Sequence, residues 1–117
     1  MVVEDTCGPD DATLRAFQHR LEILHDPTHV CAYSRRQWSD MLTAAGFTVE
    51  NIQHHPKQHD VADWLARSGC DRRREEAVHQ LLTGAAEKTK AHFRIECAGD
   101  RAISFVDDKI ILFAKKS

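Results

Sequence analysis

The run Lys109-Ile-Ile-Leu-Phe-Ala114 constrains the fold more than any other stretch of the chain. Residues 110–114 are apolar without a break, so an extended strand here has no polar face to give to water. Such a strand is expected to be buried on both faces, as strands of α/β sheets are when helices cover them above and below. The rest of the chain must therefore supply other strands beside it and helices over it. At 117 residues it is expected to do so as one domain, residues 1–117.

Helical stripes are present. Leu14, Phe17, Leu21 and Leu24 recur at spacings of three and four, with Asp10 or Asp11 available as N-cap and Pro27 beyond the end. Ser34 and Gln37 have the spacing of a capping box, Tyr33 and Trp38 that of a hydrophobic staple, and Gly46 sits at the C′ position. Asp60 and Asp71 can cap two further helices, giving about four in all. Strand signals come at Val2–Val3, at "FTVENIQ", at the alternating Phe93–Cys97, at "AISFV" and at "KIILFA", with Asp107–Asp108 read as a turn. Glu4 and Asp5 would then stand at the carboxyl end of the first strand.

Composition excludes several function classes. Net charge is −2, and the one basic run, Arg72–Arg74, is followed at once by Glu75 and Glu76, so no nucleic-acid footprint is expected. No apolar run has the length of a membrane span, and the opening residues carry acids where a signal peptide has bases. Four scattered cysteines without a CxxC pair suit reduced thiols, so a cytoplasmic setting is expected.

The segments "VVEDTCGPDD", "LHDPTHVCAYSRRQWSDMLTAAGFTVENI", "DVADWLARSG" and "IILFAKK", in that order, resemble the C-terminal half of class I S-adenosylmethionine-dependent methyltransferases of the ubiquinone/menaquinone-biosynthesis type. The resemblance implies a partial Rossmann-like α/β fold, the C-terminal strands of a mixed sheet, without the cofactor-binding N-terminal half. That half carries the glycine-rich turn of the family. Here the five glycines, Gly8, Gly46, Gly69, Gly84 and Gly99, are too far apart for one. The implied function is the substrate-side part of a methyltransferase acting on a small molecule, inactive alone. S-adenosylmethionine would serve the complete fold, with no cofactor expected on this chain by itself.

The same resemblance places the substrate near the end of the first strand and the segment before the next helix. It thereby points to His25, Asp26 and His29 as catalytic candidates, and to Glu4, Asp5, Tyr33 and Ser34 as substrate contacts. Histidine titrates near neutrality, so "HDPTH" could take a proton from a substrate hydroxyl. The plainer account makes Asp26 and Thr28 turn residues, the histidines solvated and Ser34 a helix cap. His54, His55 and His59 are interrupted by Pro56 and lack the tight Cys/His spacing of common zinc sites, so no metal is expected. Cys7 has acidic neighbours that disfavour a thiolate. An alternative from another class is a non-enzymatic α+β interaction or dimerisation module. In the half-fold reading the edge of the first strand would be unpaired, and a homodimer is the expected way to cover it.

Overall fold

The structure is a computed structural model that describes residues 1–28 and 32–117; His29, Val30 and Cys31 lie outside the described residues. The chain runs β1 (Val2–Cys7), α1 (Ala12–His25), α2 (Arg35–Ala44), β2 (Phe47–Asp60), α3 (Val61–Ser68), α4 (Arg72–Thr83), α5 (Glu87–His92), β3 (Glu96–Ala98) and β4 (Arg101–Lys116). The α/β class is as expected. Among the described residues, however, each hydrogen-bonded strand pair is antiparallel, and a fifth helix joins the expected four.

β4 is the centre of the sheet. β1 lies on one side, from Val2 opposite Phe113 to Cys7 opposite Asp108. β2 lies on the other, from Phe47 opposite Lys116 to Asp60 opposite Ser104, with a bulge at Val49–Asn51. β1 and β2 both run against β4 and so point the same way without pairing to each other.

The caps form as the sequence predicts. Asp11, Asp60 and Asp71 each accept the backbone N–H three residues on, and Ser34 and Gln37 bond reciprocally. Tyr33 meets Trp38 edge-on, ring centroids 5.6 Å apart, which is the staple. Gly46 and Gly69 take positive φ at the ends of α2 and α3.

Three readings are corrected. Asp107–Asp108 is not a turn: β4 runs straight through it, paired with its neighbouring strands, and each acid also bonds a histidine of β2. β2 in turn continues through Pro56, which an edge strand tolerates since the missing N–H removes no ladder bond there. Phe93–Cys97 is mostly not strand. Phe93 caps α5, Arg94 turns left-handed at φ 46°, and the Ile95 N–H closes the helix end on the Lys90 carbonyl.

Two clusters form the core. Leu42 of α2 packs with Cys7, Ile110, Leu112 and Ala114 on one face of the sheet. Leu21, Val61, Leu65, Val78 and Leu82 from α1, α3 and α4 pack with Ala102 and Phe105 at the start of β4. The double burial expected of "KIILFA" is incomplete. Ile110, Leu112 and Ala114 are buried, whereas Ile111 and Phe113 on the opposite face are half-buried, beside an exposed Val2. No helix among the described residues is long and apolar enough to cross a membrane.

Candidate functional site

Strand β1 ends at Cys7, and the chain then makes a close crossing. The Gly8 N–H donates to the Tyr33 carbonyl at 3.0 Å, and a Cβ on Gly8 would lie 2.5 Å from the Ala32 carbonyl oxygen. This crossing pins the segment before α2 to the end of β1. On β4, pairing passes from β1, which stops opposite Asp108, to Phe93, whose carbonyl accepts the Val106 N–H at 2.7 Å. The gap between these partners opens into a cavity of about 240 Å³, lined by Cys7, Gly8, Pro9, Gln18, Phe93 and Asp108 among others. In open α/β sheets, ligands bind beyond the carboxyl ends of strands, and this cavity lies beyond that end of β1.

Two histidine–carboxylate pairs flank this stretch of β4. His54 Nδ1–H donates to Asp108 Oδ2 at 2.6 Å, with both side chains partly exposed. His59 Nε2–H donates to Asp107 Oδ1 at 2.9 Å, with each side chain only 10% exposed. The His59 ring also stacks on Phe105 at 4.9 Å, beside Trp64, so this pair is embedded in aromatic packing. Burial and the nearby Asp108 carboxylate push the Cys7 thiol up to about 11, despite a backbone N–H from Arg35 that favours the thiolate.

The residues named from the sequence do not converge on one centre. Tyr33 and Ser34 lie beside Gly8 at the end of β1. Ser34 is buried and committed to capping α2; Tyr33 lines a separate hollow with Ala16 and Gln37. Glu4 and Asp5 lie within β1 rather than at its end, because the strand continues to Cys7; Asp5 accepts the Thr6 N–H. His25 and Asp26 are at the far end of α1, about 20 Å along the helix axis from its start at 1.5 Å per residue. There they border another hollow, of about 440 Å³, with Arg67 and Arg74. His25 stacks flat on Trp64 at 3.8 Å and donates Nε2–H to the Trp64 carbonyl; burial lowers its pKa. Asp26 binds the Thr28 hydroxyl and N–H, as a turn residue does. His29 is outside the described residues.

Sequence reasoning missed the pairs that Asp107 and Asp108 make. The signal was available in the alternation of His55, Lys57 and His59 and of His54 and Pro56. It shows only once β2 is allowed to run past a proline.

No protein-family model matches the chain. It is 31% identical over 93 residues to the uncharacterized methyltransferase YcgJ of Bacillus subtilis strain 168, an alignment covering 78% of this chain and 36% of the relative. It is 21% identical over 117 residues to the uncharacterized protein YafE of Escherichia coli K12, covering 100% of this chain and 55% of that one. The chain thus spans about a third to a half of these curated relatives. Among solved structures, a candidate methyltransferase from Bacillus halodurans superposes with a TM-score of 0.94 at 22% identity, over 97% of this chain and 53% of that one. YcgJ of Bacillus subtilis superposes with a TM-score of 0.93 at 26% identity, over 99% and 50%.

Proposed function

From its methyltransferase-like fold, we propose that this chain supplies the substrate-side half of an S-adenosylmethionine-dependent methyltransferase acting on a small molecule. The observation that carries this reading is the superposition of nearly all of the chain on about half of each solved relative. The small molecule would enter the cavity beyond β1, where Cys7, Pro9, Gln18 and Phe93 mix apolar wall with a few polar groups. His25 and Asp26, with Arg67 and Arg74 beside them, border a distinct hollow suited to an anionic part of a substrate rather than to proton transfer at the same atom.

The residues present do not fit S-adenosylmethionine as a dedicated site. Gly8, the glycine nearest the cavity, has the space of its missing side chain filled by the Ala32 backbone, so it offers no cradle to a ligand. Gly46, Gly69 and Gly99 serve separate turns with positive φ. The chain by itself is therefore proposed to be inactive, and cofactor chemistry to need the other half of the fold. The outer edge of β1 has no strand partner among the described residues, and Val2 there is 61% exposed. A second copy of this chain along that edge is the proposed cover, through strand pairing.

One set of measurements tests both parts. Calorimetric titration of the 117-residue chain with S-adenosylmethionine should give no saturable heat at micromolar concentrations, whereas micromolar affinity would overturn the half-fold reading. Light scattering should report twice the 13.3 kDa chain mass. A single-chain mass would reject the second copy.

A further inference from the structure

The side-chain alternation of strands sends Cys7, His54 and Asp108 to the same face of the sheet, each from a different strand. Cys7 is directly opposite Asp108 on β4; His54 is opposite Ile110, one diagonal step away, at the spacing over which cross-strand side chains meet. The Cys7 sulfur, a His54 ring nitrogen and an Asp108 carboxylate oxygen all lie within 4.8 Å of one another. We propose that these three residues form a binding site for a divalent transition metal, zinc by preference, with the fourth coordination position directed to the cavity beyond β1.

The donor set selects the ion. Thiolate, imidazole and carboxylate together suit tetrahedral zinc, and hard oxygen-seeking cations such as magnesium would not use the sulfur. Three protein ligands with an open position is the arrangement of a reactive centre rather than of a closed structural site. The geometry is close to what coordination requires. Ligand bonds near 2.0–2.3 Å in a tetrahedron set donor separations of about 3.3–3.6 Å. The His54–Asp108 contact of 2.6 Å must open, and the more distant donors, all within 4.8 Å, must close in by at most about 1.5 Å. His54 and Asp108 are partly exposed and free to make that adjustment, while buried Cys7 is fixed at the strand end.

Electrostatics favours a cation here. The Asp108 carboxylate stands directly opposite Cys7 and would face the ion. A divalent ion would screen the carboxylate and ionise the thiol, and the Arg35 N–H at the start of α2 already points to the sulfur. Binding would release the thiol proton to solvent as the metal–sulfur bond forms. The Cys7 thiol itself donates to the Gly8 carbonyl at 3.4 Å, a weak bond that a metal would replace.

The site is independent of the methyltransferase reading, and its test uses metal alone. The full chain, stripped with chelator, is titrated with cobalt(II) as a spectroscopic substitute for zinc. The expected result is one ion per chain, with the intense visible bands of tetrahedral cobalt and a near-ultraviolet thiolate charge-transfer band, both displaced by zinc. Cys7→Ser should lose the charge-transfer band. His54→Ala, at an exposed edge position, should weaken binding at least about tenfold. His55→Ala, on the opposite face, should leave both unchanged. Zinc should also raise the melting temperature, reversibly with chelator. Absence of saturable binding at micromolar metal would overturn the site. So would a charge-transfer band surviving in Cys7→Ser, or a loss in His55→Ala equal to that in His54→Ala.

Discussion

Replacing Gly8 by alanine tests the crossing that shapes the cavity. The φ of Gly8 is not in the left-handed region, so an alanine has no dihedral penalty there. The cost is steric. The new methyl would lie 2.5 Å from the Ala32 carbonyl oxygen and 3.3 Å from its carbon, and neither atom is the flexible end of a side chain. Ordinary carbon–oxygen contact needs the two segments to separate by most of an ångström. Overpacking of this kind costs about 1–3 kcal/mol. The same separation stretches the 3.0 Å bond from the Gly8 N–H to the Tyr33 carbonyl, adding about 1 kcal/mol. The expected loss is therefore about 2–4 kcal/mol, read as a lower urea midpoint at unchanged slope. Gly46→Ala is the counter-case, because it has φ 89° and no atom within 4 Å of its would-be Cβ. It should lose only about 1 kcal/mol, through backbone strain. A Gly8→Ala loss under about 0.5 kcal/mol would refute the steric argument.

Two further outcomes follow from the core. Trp38 is half-buried against the α2 cluster and edge-on to Tyr33, so Trp38→Ala should cost about 2–3 kcal/mol in denaturant melts, and under about 1 kcal/mol would place it outside the core. The Cys7 thiol is raised from 9.0 to about 11, so the folded chain keeps a proton that the unfolded chain releases. That contribution is intact below pH 9 and is lost as pH rises toward 11, by of order 2 kcal/mol. Melts of wild type and Cys7→Ser on either side of this window should diverge, and parallel pH profiles would contradict the burial of the thiol.

The sequence was most legible where local chemistry and burial agree. Ser34–Gln37, Tyr33–Trp38 and Gly46 mark α2 from cap to C′ residue, and each makes the predicted contact. Asp60 and Asp71 mark α3 and α4 equally well. It was least legible where tertiary partners override local signals. Asp107–Asp108 has the composition of a turn, and pairing with neighbouring strands, with histidines of β2 on both carboxylates, keeps it extended. α5 has no side-chain cap and buries only Thr89, so no apolar stripe announces it. The expected site residues were drawn by resemblance from two segments, the end of β1 and the stretch before α2, and the length of α1 holds His25 and Asp26 away from the rest. Cys7, His54 and Asp108 are 101 positions apart from first to last, and only strand register brings them together.

Because every strand pair among the described residues includes β4, the order of synthesis has a consequence for how the chain acquires its fold. β1, β2 and β3 all leave the ribosome before the strand that each of them needs. Until Arg101–Lys116 emerges, none of them has a partner, and the ladder between residues 2–7 and 108–113 must close over about a hundred intervening positions. The helices can form earlier, but these ladders assemble only once residues 101–116 have emerged. In that interval the strands are open to other chains, which makes this a protein whose yield should depend on chaperones and on expression temperature more than its modest size suggests.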